Sequence, residues 1–201
     1  MHKIERLVLG MIGTNCYLLW EDKHVLIIDP ASKSSKLKEA IESQEGIVDG
    51  IVLTHGHFDH IAGVDAIAQY FHSNVYINEN DMPLLKDSHL NLSEGQQIVV
   101  QHAVTCLGPG KQTIGNFAFD FSDAPGHSEG SSMLLWHDNL ICGDVLFQGS
   151  IGRTDFYTSS NTRMMQTLQM VKTLDPDLKV YPGHGESTTI QQELLTNPYL
   201  Q

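Results

Sequence analysis

The segment Thr54-His55-Gly56-His57-Phe58-Asp59-His60 constrains this chain more than any other: three imidazoles and a carboxylate fall within six residues, between an apolar run and an amphipathic one. Gly50 to Thr54 reads as a strand, and Ile61, Val64, Ile67, Ala68 and Phe71 share one face of a helix over 61–71. The motif therefore lies where a strand feeds a helix. Residues two apart in an extended stretch project to the same side, so His55 and His57 can share one ion. Asp59 and His60, one step into the turn, can reach a second ion beside it. Four such groups at close quarters would repel one another, protonated or charged, without a cation between them. Gly56 leaves no side chain between the two histidines, which fits a backbone passing close to a metal.

Composition agrees with a site of this kind. The 201 residues include 11 His against 12 Lys plus Arg, and His is the side chain most used for metals and proton transfer. Asp plus Glu number 24, so the formal net charge is -12, which disfavours nucleic acid as a partner. A hydrophobic fraction of 41% with mean hydropathy -0.16 describes an ordinary folded chain whose length fits one domain. Cys16, Cys106 and Cys142 are odd in number and lack C-x-x-C spacing, which predicts reduced thiols and a cytoplasmic protein. Lys3 and Arg6 before the apolar 7–20 stretch mimic a leader, but Glu5, Gly10, Gly13, Thr14 and Asn15 interrupt the pattern. No apolar run approaches the roughly 18 residues of a membrane span, so no membrane partner is expected.

Along the chain, Ile4–Leu9, Cys16–Trp20 and His24–Ile28 read as successive strands, and Ser32–Gln44 as a helix stopped by Gly46. Beyond the motif come a strand at Val75–Ile77, a short helix at Asp81–Lys86, and β-type runs over Gln97–Phe121 broken at Gly108-Pro109-Gly110 and Gly115. Ser132–Trp136 and Leu140–Gly143 form a hairpin around Asp138-Asn139. A helix over Arg163–Leu174, a strand at Leu178–Tyr181 and a helix begun at Ser187 or Thr188 complete the reading. A meander followed by βα units, twice over, predicts two packed sheets with helices outside.

Three later pieces each put one ligand-type residue beside glycine after a strand: Pro125-Gly126-His127, Gly143-Asp144 and Pro182-Gly183-His184-Gly185. Singly these are common turns. Their joint order with His55-Gly56-His57-Phe58-Asp59-His60 resembles the metallo-β-lactamase superfamily, in its glyoxalase II-like branch of hydroxyacylglutathione hydrolases. The likeness runs from Asn15 through Val25-Leu26-Ile27-Ile28-Asp29-Pro30 to Asn197-Pro198-Tyr199. It implies an α/β fold, a four-layer αββα sandwich with metals at one edge of the sheets. It further implies one domain over 1–201, without the helical domain that binds glutathione in longer relatives. By the family's pattern His55, His57 and His127 hold one metal, Asp59, His60 and His184 hold the other, and Asp144 bridges them. Asp29 matches a position beside the site, where a carboxylate orients ligand imidazoles.

A nitrogen and oxygen donor set without thiolate suits two divalent ions, Zn²⁺ first and also Fe or Mn. Such a pair lowers the pKa of a shared water from ~15.7 toward neutrality and polarises the carbonyl under attack. A thiolate leaves without a general acid because its pKa lies near ~8.5. The expected partner is a small-molecule thioester, S-D-lactoylglutathione or a related hydroxyacyl thioester, with Asp59 and Asp144 counted as catalytic. Asp144 and the lack of a leader argue against a true β-lactamase. Gly152-Arg153-Thr154-Asp155-Phe156 keeps the basic residue that glyoxalase II enzymes use but has Asp155 where they place an aromatic. The same stretch is similar to persulfide dioxygenases, which use one iron, and that alternative stays open, as do other esters and lactones. Arg153, Phe156 and Tyr157 are candidate substrate contacts, and Phe58 borders the pocket.

Gly108-Pro109-Gly110-Lys111 lacks the Gly and Ser/Thr of a phosphate loop and reads as a turn. His2, His24, His72, His89, His102 and His137 read as surface or turn residues. The Met164-Met165 pair with Leu168 and Val171 reads as a helix's buried face.

Overall fold

The computed structural model describes residues 2–201. One six-stranded sheet carries, in spatial order, β1 (His2–Leu9), β2 (Thr14–Glu21), β3 (His24–Ile28), β4 (Ile47–Val52), β5 (Val75–Asn78) and β6 (Val104–Leu107). Its first three strands form an antiparallel meander and the rest run parallel. The chain then turns at Gly108-Pro109 and crosses into the second sheet. There β7 (Gly110–Ile114), β8 (Phe117–Asp123), β9 (Ser132–Trp136) and β10 (Asn139–Gly143) pair in sequence. A small ribbon follows, of β11 (Leu146–Phe147) and β12 (Ser150–Ile151). The second sheet ends with β13 (Lys179–Pro182), parallel to β10, and β14 (Thr188–Thr189). The helices are α1 (Ser35–Glu42), α2 (Phe58–Ile61), α3 (Val64–Phe71), α4 (Asn161–Val171) and α5 (Ile190–Thr196).

Side-chain alternation along the strands makes three apolar layers and hence four layers of structure. Tyr17 and Leu19 of β2, Leu26 and Ile28 of β3, and Val52 of β4 meet Phe117, Phe119, Phe121, Leu134, Trp136 and Ile141 between the sheets. The alternate residues Cys16, Leu18, Trp20, Val25, Ile27 and Ile51 point outward, onto Leu37 and Ile41 of α1 and Val64, Ile67 and Ala68 of α3. On the far side Leu140, Cys142 and Val180 receive Met164, Leu168 and Val171 of α4 and Ile190 of α5. The αββα sandwich expected from the resemblance is the fold observed. Truncating a buried aromatic such as Phe121 would cost about 3–5 kcal/mol.

Several local expectations change. The helix expected over 61–71 starts earlier, at Phe58, and is broken at Ala62-Gly63, where the Gly63 N–H leaves the helix pattern and donates to Pro30 O at 2.8 Å. The helix expected over Asp81–Lys86 does not form. Glu79–Asp81 is a single 3₁₀ turn, and Leu84, Leu85 and Lys86 donate to Asp81, Met82 and Pro83, three residues back each time. The β9–β10 turn is His137-Asp138, with Asn139 already paired to Trp136. The last helix begins only after Thr189, whose hydroxyl accepts from Gln192 N at 3.1 Å, while Thr188 extends the sheet. The fold places α2 and the loops after β3, β4, β8, β10 and β13 at one edge of the sandwich.

Candidate metal centre

Every candidate ligand lies just beyond a strand's carboxyl end. His55, His57, Asp59 and His60 follow β4, His127 follows β8, Asp144 follows β10 and His184 follows β13. The fold brings all seven together. Three groups of donors lie within 4.8 Å of one another: His55 with His57 and His127, His55 with His60 and Asp144, and Asp59 with His60 and His184. Asp144 sits between them, with Oδ1 at 3.4 Å from His60 Nε2 and Oδ2 at 3.5 Å from both His127 Nε2 and His184 Nε2. Two of these groups contain the same residues as the sets that the resemblance implies, and the third joins His55 and His60 across Asp144.

The hydrogen-bond network assigns the tautomers. His60 Nδ1–H donates to Asp29 Oδ2 at 2.8 Å, and His127 Nδ1–H donates to the carbonyl of Arg153 at 3.0 Å. Thr54 Oγ1 donates to Asp29 Oδ2 at 2.6 Å and accepts from His55 Nδ1–H at 3.1 Å. In the neutral form of each of these rings the lone pair is left on Nε2. His57 Nδ1 faces His127 Nε2 at 2.8 Å. The Nε2 atoms of His55, His57 and His60 and Oδ1 of Asp144 are buried without a hydrogen-bond partner. An unpaired buried acceptor is costly, and a cation satisfies several at once. The donor chemistry therefore fits divalent metal at both groups, and it does not select among zinc, iron and manganese.

Asp29 is the carboxylate that holds this arrangement from beneath. It has φ of 50°, a left-handed conformation that Asp tolerates better than most residues, and it also accepts Thr54 N at 2.8 Å. Asp59 Oδ2 accepts from Thr14 Oγ1 at 2.6 Å and lies 3.1 Å from His184 Nε2. Gly56 turns out to serve packing: a Cβ there would lie 2.6 Å from Cβ of Leu84, so the tight contact is with the segment after β5.

The two ends of the cluster differ in charge. Burial pushes the His55 imidazole well below its ordinary range, reinforced by His60, and burial with His127 nearby holds His57 down to about 3. Both rings are neutral and ready to donate a lone pair. At the other end burial acts against charge, yet the carboxylates of Asp59, Asp144 and Asp29 outweigh it and raise His60 well above its usual value. Asp59 and Asp144, pushed up by burial, are held below the ordinary carboxylate range mainly by His60. The field that favours a proton on His60 favours a metal cation at the same nitrogen.

The cluster floors a cavity of about 420 Å³ whose wall includes Ile12, Phe58, Leu92, Phe147, Ile151 and Phe156. Phe156 stands edge-on to His57 and His127, with ring centroids 5.5 and 5.7 Å apart. Arg153 lies at the rim, its Cζ 4.3 Å above the Phe156 ring and its Nε and Nη2 donating to Asp155 at 2.9 and 2.8 Å. Asp155, the residue that replaces the expected aromatic, is thus the partner of Arg153. Tyr157 is 79% exposed and packs on His89 rather than on the cavity. Ile12, Leu92, Phe147 and Ile151 were not singled out in the sequence; only the nearness of Phe147 and Ile151 to Asp144 could have flagged them. None of the six remaining histidines is buried.

Residues 9–184 match the family model of the metallo-beta-lactamase superfamily, and the chain belongs to that superfamily. It is 34% identical to a probable metallo-hydrolase, YqgX, of Bacillus subtilis (strain 168), over 98% of this chain and 97% of that one. It is 31% identical, over the same shares of each, to the hydroxyacylglutathione hydrolase GloC of Haemophilus influenzae (strain ATCC 51907 / DSM 11121 / KW20 / Rd). Among solved structures it resembles BLEG-1 B3 metallo-beta-lactamase, with TM-score 0.95 and 35% identity over 99% of this chain and 100% of that one. It also resembles TTHA1623 in a di-iron-bound form, with TM-score 0.89 and 30% identity over 98% and 100%. The fold, donor set and relatives make this a metal-dependent hydrolase of that superfamily. No helix among the described residues is long and apolar enough to cross a membrane.

Proposed function

We propose that the protein is a glyoxalase II-like thioesterase that uses two divalent metals, zinc by preference, to cleave a small hydroxyacyl thioester such as S-D-lactoylglutathione. The observation that carries this reading is Asp144 between two donor groups, within 3.4–3.5 Å of His60, His127 and His184. Metals at these groups supply Lewis acidity toward the carbonyl and an acidified water. Asp59 and Asp144 would be the anionic ligands, Asp59 in the group with His60 and His184 and Asp144 between the groups. Asp29 and the Arg153 carbonyl keep the His60 and His127 rings turned so that Nε2 faces the centre. Phe58, Phe147 and Phe156 exclude water from one side of the substrate, and Arg153 meets an anionic group at the rim. The identity to GloC supports the thioester assignment, and a cytoplasmic setting accords with three free thiols.

The test joins metal analysis of purified protein to hydrolysis of S-D-lactoylglutathione, for wild type and Asp144→Ala. Near two metals per chain and metal-dependent thioester cleavage that Asp144→Ala abolishes is the expected result. One iron per chain with oxygen consumption on a glutathione persulfide, or cleavage confined to a β-lactam, overturns it.

A further inference from the structure

The three imidazoles at the neutral end reach one place from different sheets. His55 and His57 come from the loop after β4 in the first sheet, His127 from the loop after β8 in the second. Two loops on separate sheets are set to a fraction of an ångström only if something ties them together. One backbone bond, Ser132 N to Thr54 O at 2.9 Å, joins their roots. The tie at the ligands themselves is a side chain outside both loops.

That side chain is Asp81, at the end of the 3₁₀ turn after β5 and wholly buried. Its Oδ2 accepts from Gly56 N, the peptide between His55 and His57, at 2.8 Å. The same oxygen accepts from the hydroxyl of Ser128, the residue after His127, at 2.7 Å. Oδ1 accepts from Gly130 N at 2.7 Å. Ser128 is fixed in turn, its N–H donating to Ser131 Oγ at 2.9 Å. The turn that presents Asp81 is itself anchored: Asn78 accepts Asn80 N at 3.0 Å and donates to Asp123, at the end of β8, at 2.7 Å. The chain has made room for this contact. A Cβ at Gly130 would lie 2.6–2.8 Å from N, Cβ and Cγ of Asp81.

We propose that Asp81 is a positioning residue for the His55–His57–His127 metal position, its carboxylate clamping the two ligand loops through Gly56, Ser128 and Gly130. It touches neither ligand nor substrate. Its work is to satisfy three buried donors that belong to two loops, which only an ionised carboxylate does with both oxygens. An amide in its place presents N–H₂ to at least one N–H or O–H, so Asp81→Asn keeps shape and loses the clamp. The inference rests on the metal centre and not on the thioester reading, and it is tested by metal binding.

The experiment titrates metal-free wild type, Asp81→Asn and Gly130→Ala with Co²⁺, following visible absorption, and records melting of each metal-free protein. The expected result is one Co²⁺ bound about 10–100-fold more weakly by both variants, with a shifted absorption band. Asp29→Asn, which removes the direct acceptor of His60 and reaches His55 only through Thr54, should act chiefly on the other component of the titration. Unchanged Co²⁺ affinity and spectrum in Asp81→Asn overturns the proposal. So does an equal loss at both metal positions, whether or not melting falls with it, because that marks a general structural role. Should Asp81→Asn not fold, Gly130→Ala carries the same two outcomes.

Discussion

The floor and the rim of the cavity are built by opposite means. Under the floor His55, His60, Asp29 and Asp81 are at most 2% exposed, each fixed by a hydrogen-bond partner in the loops beyond the strand ends. At the rim Ile12 is 54% exposed, and Arg153 is held by its own neighbour Asp155 and by a ring face. Buried polar networks are costly to leave partly satisfied, so the floor admits few alternatives. Exposed loops pack little and pair weakly, so the rim can vary without disturbing it. The difference teaches that chemistry and selectivity are separable here: changes on the floor should act on metal content and kcat, changes at the rim on KM.

That separation can be broken by measurement. The largest effect is expected for Asp144→Ala, which takes the carboxylate from between the donor groups: kcat/KM should fall by about 10³-fold or more, with loss of bound metal on elemental analysis. Chelation of wild-type protein should abolish activity to the same degree, and added Zn²⁺, Fe²⁺ or Mn²⁺ should restore it. Asp29→Asn removes a strong acceptor from His60 and should cost about 10–100-fold in metal affinity, read by competition with a chelating dye. Phe156→Ala opens the aromatic wall beside His57 and His127 and should raise KM by about three- to ten-fold with little change in kcat. The smallest effect is expected of Arg153→Ala, about two- to five-fold in KM, because its exposed fork is already occupied by Asp155. This loss should appear with an anionic thioester and vanish with an uncharged one. A rim variant that drops kcat with KM unchanged would break the division between floor and rim.

The same division decides what could be read from the sequence. The ligands were legible because they are dense, placed at strand ends and interleaved with glycine, and their spacing is set by strand geometry that apolar alternation reveals. The two packed sheets were legible in the order of strands and helices and the four-layer sandwich in the family resemblance, while the sorting of Cys16-Tyr17-Leu18-Leu19-Trp20 between two cores is seen only in the structure. Asp81 reads locally as the start of a helix. Its buried carboxylate instead binds two distant loops, and the chain after it closes only three-residue turns, a tertiary demand that no local pattern carries. The cavity wall was hidden for a related reason. Ile12 and Leu92 come from two loops and Phe147 from the short β11, all far apart in sequence, and each looks locally like any apolar residue. Arg153 is legible as a basic residue near the site, while its engagement by Asp155 depends on the turn geometry over 153–155, which the residue types alone do not carry.

The distribution of ligands over the two sheets has a mechanical consequence. Four donors descend from the first sheet and three from the second, and the sheets face each other across an apolar layer with a few hydrogen bonds at its margins, such as Asn15 N to Gly183 O and Tyr17 Oη to Pro182 O. A cation gripped by both halves is a rivet through the sandwich. Resistance to unfolding then depends on the free metal concentration as well as on the sequence, rising by about 2.7 kcal/mol when that concentration is a hundred times the dissociation constant. Depriving the protein of metal should therefore lower its melting temperature and loosen the seam between the sheets first, a change that hydrogen exchange at β4 and β10 would record.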